Sequence, residues 1–562
     1  MKTYSPQDPM PGVVYPPADQ LKRYVEAGAL TEETLVDGFQ AIAARYGGKP
    51  AVVGRGFQIS YAELDVRTDH LAGALLRLGL QPLDRVVFQI ANSPELLLLF
   101  VACLKAGLIP VCTLAAHREH EIGYLGKLSE ARLHVVQGDD PKFDDVEFAE
   151  RMRARIPTMR WTLQARGPAR GSALGLQQLL DGIDLVSAQA LLQRVPRDPF
   201  QVAVFQLSGG TTGVPKIIPR MHNEYLYNMR SVAAFNGYTP EDVLFMPLPM
   251  MHNLNMGCCF GPFLMTGGTI VLANTMDADD LVETLRAHPP TWAAMGAVLA
   301  RIQSHLDQGT LTLPRLRAAI APNGAPRLRE ILGAPVRHIF GMTEGVIMMT
   351  RDDQPQEVQD VMVGRPVSGL DQVKLLVPGT EQEITQDDVE GESAFAGPYT
   401  LHGYYRAEER NKEAFTSDGF YRSGDLMRFR TIDGVRYYQF RGRLKDIVSR
   451  GGEKINCEEV EVLIRTHPAV TNVQIVAMPD AALGERACAF IQPKPGQIAP
   501  GVAELGKFLE SEGLAKFKWP ERVEPVVEFP TTKTGKLSKV LLKEIVVERL
   551  AAEVAAKQGR TS

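Results

Sequence analysis

The chain has 562 residues, too many for one hydrophobic core, so at least two domains are expected. Apolar residues at 45%, charged residues at 23% and a net charge of −5 spread along the chain are those of a soluble globular protein, and nothing in them points to nucleic-acid or anionic-membrane binding, so neither partner is expected. Six cysteines with no CxxC pair rule out a disulfide framework and argue against thiolate metal ligation, which fits a reduced, cytoplasmic setting.

The first twelve residues are Pro-rich and polar, without the apolar core of a secretory signal. Ser60-Tyr-Ala-Glu63 has the spacing of a capping box and predicts a helix running to about Leu78. Residues 84–90 read as a strand, Ser93 caps a helix through Lys105, and 109–112 form a further strand. The longest apolar tract, 97–116, is broken by Lys105, Gly107 and Pro110, so it predicts a buried helix and strand and no membrane span. His117-Arg-Glu-His-Glu121 fits no zinc motif and predicts a solvated helix start. From 138 to 199 no period holds, and surface helices and loops are expected.

The apolar, β-prone run 202–205 then delivers the chain into Gln206-Leu-Ser-Gly-Gly-Thr-Thr-Gly-Val-Pro-Lys-Ile-Ile-Pro-Arg220. Glycines allow close backbone approach, hydroxyls donate, and Lys216 supplies a point charge, which together suit a phosphate cradle. It is not a Walker A loop, because Val214 and Pro215 separate Gly213 from Lys216. An ordinary Gly-rich turn is the alternative. A helix is expected from the Tyr-rich segment 224–227, then strands at 243–247, 269–272, 292–295, 318–321 and 336–340 with a helix at 277–288. Beyond residue 372 the texture changes to short strands and turns. A tail of helix 457–466, strands 473–478 and 487–492, and helix 502–512 closes the pattern. The alternation predicts an α/β protein: a large multi-lobe N-terminal domain over 1–442 and a small α+β domain over 443–562.

Several further segments stand in order behind the Gly-rich loop. They are His252-Asn253, Asn323-Gly-Ala325, Phe340-Gly-Met-Thr-Glu344, Gly397-Pro-Tyr-Thr400 with Gly403-Tyr-Tyr405, and Tyr421-Arg-Ser-Gly-Asp425. Gly442-Arg-Leu-Lys445 through Gly451-Gly-Glu-Lys454 and Pro530 through Lys536 complete the set. Together they resemble the adenylate-forming superfamily of acyl- and aryl-CoA ligases, peptide-synthetase adenylation domains and beetle luciferases. The resemblance is closest to the stand-alone aryl-acid AMP ligases of siderophore synthesis. It covers nearly the whole chain, from Ser60 to Lys536.

The resemblance implies ATP-dependent activation of an aromatic carboxylic acid, of salicylate or 2,3-dihydroxybenzoate type, to an aryl-AMP with release of pyrophosphate. Both reactants are anionic, so such a site needs cations and donors aimed at the phosphates. It implies that Ser208, Gly209, Thr211, Thr212 and Lys216 hold the leaving phosphates, that Glu344 binds Mg²⁺, and that Thr343 donates to the α-phosphate. Asp425 and Arg443 would hold the ribose, Gly324 and Ile339 would border the nucleotide and acyl pockets, and Lys536 would bridge carboxylate and α-phosphate. Lys445 falls at the family's hinge, where a mobile C-terminal domain reorients to admit a phosphopantetheine thiol. No carrier domain follows Lys536, so a separate carrier protein is expected as acceptor, with coenzyme A as the alternative. A luciferase-like oxidoreductase is the reading from another class, and His252-Asn253 argues against it.

The same resemblance puts His252 over the reacting carboxylate and Asn253 on an ortho hydroxyl. Cys258 stands where relatives taking 2,3-dihydroxybenzoate carry Ser and those taking salicylate carry Cys, and a thiol favours a ring without the 3-hydroxyl. Read by themselves, Cys258 and Cys259 are buried small residues and not nucleophiles. Leu254, Asn255, Gly257, Asn323, Thr343, Val346, Ile347 and Met348 depart from the aryl-acid pattern. Salicylates, dihydroxybenzoate, anthranilate and hydroxylated heteroaryl acids all stay open as substrates.

Overall fold

Runs of Val, Ile, Leu and Ala buried on both faces build the two largest sheets of the computed structural model. It describes residues 4–208, 215–295, 298–322, 325–450, 453–480, 483–512, 514, 516–531 and 537–558. Contacts divide the chain into two compact units: Met1–Val373 with Phe395–Tyr421, and Lys374–Ala394 with Arg422–Ser562.

The first unit holds both large sheets. One has seven strands, in the order Leu174–Gly175, Trp161–Gln164, Leu133–Val136, Arg85–Gln89, Ile109–Val111, Val202–Leu207 and Ile217–Met221. The other has nine, from Arg365–Pro366 through Gly345–Met349, Val336–Met342, Ala318–Ala321, Trp292–Ala293, Val243–Phe245, Thr269–Val271 and Pro50–Gly54 to Phe57–Ser60. Their interiors are parallel, and antiparallel pairing appears toward the ends. Two of those antiparallel hairpins matter most. Val202–Leu207 returns as Ile217–Met221 around the Gly-rich loop, and Val336–Met342 returns as Gly345–Met349 around Thr343 and Glu344.

Helices start where local chemistry says they should. Ser60 Oγ accepts from Glu63 N at 3.2 Å and Glu63 Oε2 accepts from Ser60 N at 2.7 Å, opening the Tyr61–Arg77 helix. Ser93 caps Pro94–Lys105 through the Leu96 amide. Two expectations need correction. The stretch 138–199 is not only helix and loop: Trp161–Gln164 and Leu174–Gly175 extend the seven-stranded sheet. Its buried positions include Thr162 and Gln164, whose polarity hides the strand, and Gln164 Nε2 is satisfied by Arg166 O and Pro168 O. His117 stands just before the Glu119–Leu128 helix as expected, but it is buried rather than solvated, and burial holds it neutral with a pKa of about 4.

The second unit is α+β. A five-stranded sheet runs Glu383–Ile384, Gln372–Leu376, Gly391–Ala396, Tyr421–Ile432, Val435–Arg443. A second sheet pairs Glu453–Asn456, Ile447–Arg450, Gly484–Pro493 and Val470–Asp480, with Arg522–Pro525 added parallel to Gly484–Pro493. Helices Cys457–Arg465 and Val502–Ser511 share a core with it, in which Val448, Ile455, Val460, Ile464, Ile475, Leu505 and Leu509 are fully buried. The expected boundary at 442/443 falls inside this unit, between its two sheets.

Candidate active site

The hairpin around the Gly-rich loop is closed at its neck by two bonds. Ser208 N donates to Lys216 O at 3.0 Å, and Ser208 Oγ accepts from Lys216 N at 3.1 Å. Gly209, Thr211 and Thr212, at the loop's centre, lie outside the described residues, as do Gly324 and Lys536. Beyond the neck, Lys216 Nζ stands 5.0 Å from the centroid of the Tyr404 ring, within cation–π reach. The Tyr404 hydroxyl donates to Glu344 Oε1 at 2.8 Å and meets the Tyr421 hydroxyl at 2.8 Å. One phenol therefore links the expected phosphate lysine to the expected metal carboxylate. Burial, reinforced by the Glu344 charge, pushes the Tyr404 phenol far above its ordinary pKa, so it stays a donor.

Glu344 sits at the tip of the second hairpin. Gly345 follows it with φ of 152°, and a Cβ there would lie 2.9 Å from the Phe395 ring, so the turn needs glycine. Glu344 is buried, and its Oε2 accepts no hydrogen bond among the described residues. Among those residues no group of three or more His, Cys, Asp or Glu side chains could cage a metal. A single free carboxylate oxygen fits Mg²⁺, which takes few protein ligands and completes its shell from phosphate and water.

Arg220 joins the two hairpins. Fully buried, it pairs through Nε and Nη2 with both oxygens of Glu224 at 2.9 and 2.8 Å, while Nη1 donates to Thr343 O at 3.1 Å. Thr343 Oγ1 reaches back to Leu207 O at 3.3 Å, so Thr343 and Ser208 are held on facing turns. Breaking such a buried pair leaves an uncompensated charge, at a cost of about 3–5 kcal/mol.

Beside the hairpins, the chain after Met251 forms a short helix and a π-helical turn, Asn253–Asn255 and Met256–Phe260. His252 caps the first, its Nδ1 accepting from Leu254 N at 3.2 Å, which assigns the ring proton to Nε2. Asn253 is 7% exposed, and its Oδ1 accepts from the Tyr225 hydroxyl at 2.7 Å. Asn228 Nδ2 donates to Gly257 O at 2.9 Å, steadying the π turn that presents Cys258. Cys258 shares one apolar core with Ile339, Ile347 and Met349. Burial pushes the Cys258 thiol well above its usual pKa and Cys259 to about 12, so neither is a nucleophile near neutrality.

In the second unit, Asp425 and Arg443 face each other across the antiparallel pair of Tyr421–Ile432 and Val435–Arg443, with Arg443 Nε 3.2 Å from Asp425 Oδ1. Asp425 is buried and Arg443 exposed. Lys445 lies in the 3₁₀ turn Leu444–Asp446, directly after this sheet. Three residues that organise the site escaped the sequence reading: Arg220, Tyr225 and Tyr404. Each had a signal, since Arg220 ends the Gly-rich segment, Tyr225 is in the Tyr-rich run after it, and Tyr404 lies in Gly403-Tyr-Tyr405.

Residues 39–405 match the family described as AMP-binding enzyme, and residues 459–536 match the AMP-binding enzyme C-terminal domain. A 2,3-dihydroxybenzoate-AMP ligase of Bacillus subtilis (strain 168) is 36% identical over 545 residues, covering 95% of this chain and 98% of its own. A salicylyl-CoA synthase / salicylate adenylyltransferase of a Streptomyces species is 37% identical over 547 residues, covering 95% and 98%. A salicyl-AMP ligase / salicyl-S-ArCP synthetase of Mycobacterium tuberculosis is 34% identical over 548 residues, covering 95% and 94%.

Proposed function

The chain belongs to the AMP-binding enzymes, and from that premise we propose that it activates an aromatic acid of the salicylate or 2,3-dihydroxybenzoate type as its adenylate. A carboxylate oxygen attacks the α-phosphorus of ATP, the bond to the β-phosphate oxygen breaks, and pyrophosphate leaves. A phosphopantetheine thiol then attacks the acyl carbon, and AMP leaves with the bridging oxygen.

The observation that carries this reading is the Lys216–Tyr404–Glu344 set, a cation over the ring face and an anion at the hydroxyl of one buried phenol beside the Gly-rich hairpin. Lys216, Ser208, Gly209, Thr211 and Thr212 would hold the departing phosphates, and Thr343 the α-phosphate. Glu344 would hold Mg²⁺, which neutralises phosphate charge when bound. Asp425 and Arg443 would take the ribose, with Gly324 and Ile339 at the edges of the nucleotide and acyl pockets. His252 would donate from Nε2 to the acid's carboxylate, and Lys536 would offset the repulsion between the two anions as they meet.

The acceptor we favour is the thiol of a separate carrier protein, in keeping with the name salicyl-S-ArCP synthetase carried by the Mycobacterium tuberculosis relative. Coenzyme A is the second reading, in keeping with the name salicylyl-CoA synthase carried by the Streptomyces relative. The six cysteines are free and buried, which suits work in the reducing cytoplasm. Among the described residues no helix is long and apolar enough to cross a membrane.

Acid-dependent exchange of labelled pyrophosphate into ATP tests the proposal. Salicylate or 2,3-dihydroxybenzoate should drive exchange at least about tenfold above a fatty acid of similar size, as a pocket that hydrogen-bonds its substrate requires. Silence with every aryl acid would overturn it. Offering coenzyme A and a phosphopantetheinylated aryl carrier protein side by side then separates the two acceptors.

A further inference from the structure

Asn253 could face an acid with either end of its amide, and a chain of hydrogen bonds behind it decides which. Gln206 is fully buried, and its Nε2 lies 3.2 Å from Met256 Sδ, an atom that can only accept. That contact fixes the Gln206 amide with its N–H₂ toward Tyr225, whose hydroxyl oxygen is 3.4 Å from the same nitrogen. With its oxygen accepting from Gln206, Tyr225 sends its own proton to Asn253 Oδ1 at 2.7 Å. The Tyr225 ring cannot drift, because it is fully buried with the Arg220 guanidinium 4.4 Å from its centroid. The Asn253 carbonyl is thus occupied. Its Nδ2 has no partner among the described residues, and it is not one of the fully buried unpartnered polar atoms. The open face of this amide is a donor.

We propose that Gln206 and Tyr225 are positioning residues that lock Asn253 as a hydrogen-bond donor, so that the enzyme selects aryl acids with an ortho acceptor and rejects those with an ortho donor. The inference rests on the adenylation reading above and on the expectation, from the family resemblance, that Asn253 meets the acid's ortho group. An ortho-hydroxy acid satisfies the donor, because its phenol oxygen accepts from Nδ2 while its own proton stays in the internal hydrogen bond to the carboxylate. An ortho-amino acid does not. The amine's lone pair is delocalised into the ring, and its N–H bonds point at the N–H of Asn253, leaving donors facing donors in a desolvated site. Met256, which orients Gln206 from the π turn, belongs to the same device.

The test compares salicylate, anthranilate and benzoate in ATP–pyrophosphate exchange with the full-length enzyme. The wild type should favour salicylate over anthranilate in kcat/KM by about tenfold or more, since an unpaired buried donor is costly. Tyr225→Phe frees the amide to rotate, so it should lower exchange with salicylate at least about fivefold more than with benzoate and collapse the salicylate-to-anthranilate ratio. Asn253→Asp replaces the donor with an acceptor and should move the ratio further toward anthranilate, which carries the test even if Tyr225→Phe melts early. Equal losses on all three acids in Tyr225→Phe, an unchanged ratio in Asn253→Asp, or a wild type that prefers anthranilate would overturn the inference while leaving the adenylation reading intact. A wild type silent with all three acids would instead overturn the adenylation reading, and the inference with it.

Discussion

His134 is fully buried in the strand Leu133–Val136, and among the described residues neither of its ring nitrogens has a hydrogen-bond partner. Burial alone pulls its pKa from 6.5 to about 3, so the folded protein keeps it neutral while the unfolded chain protonates it below about pH 6.5. Between those two values the unfolded state binds more protons, and stability falls as pH falls, by up to about 1.4 kcal/mol per pH unit for this one group. His134→Leu should therefore flatten the pH dependence of urea unfolding between pH 6 and 4; parallel wild-type and variant curves would refute it. At this scale the sequence tells residue type but not state. Cys258 and Cys259 read correctly as buried small residues, because thiols seldom serve otherwise without a cationic neighbour. The orientation of Asn253 was illegible, because Gln206, Tyr225 and Met256 meet it only through the fold.

Elements were most legible where their signals are local. Ser60 with Glu63 and Ser93 with Pro94 mark helix starts within four residues, and the structure begins helices at Tyr61 and Pro94. Ile217–Met221 was not legible as a strand, because Pro219 and Arg220 interrupt its apolar pattern, and its pairing with Val202–Leu207 is a tertiary fact. The 3₁₀ turn Leu444–Asp446 is the element whose role is most open to experiment. Its neighbour Gly442 has φ of 137°, and the Asn456 side chain, which caps Cys457–Arg465, also hydrogen-bonds Arg441 O. If Lys445 is the hinge that we propose, a torsion change there would have to break that bond. Lys445→Pro should adenylate at near wild-type rate but fail in thioester formation. Lys536→Ala should do the reverse, losing about 10²–10³ in adenylation while still transferring a supplied aryl-adenylate. Equal loss of both half-reactions in either variant would contradict this division of labour.

Over the whole molecule, the alternation of strands and helices correctly announced a layered α/β protein with a smaller α+β unit. It did not announce that residues 374–394 group with the second unit while 395–421 group with the first. Short strands with turns carry no signal of which core they join, since membership is set by side chains distant in sequence. The ordered motifs carried the chemistry further than composition could, because attack of one anion on another constrains which residue types a site can use. The most direct test of that chemistry follows one oxygen atom. Salicylate carrying ¹⁸O in both carboxylate positions, incubated with ATP, enzyme and the thiol acceptor, should yield AMP with a single ¹⁸O on phosphorus and unlabelled pyrophosphate. AMP without label, or ADP in its place, would contradict carboxylate attack at the α-phosphorus and the account built on it.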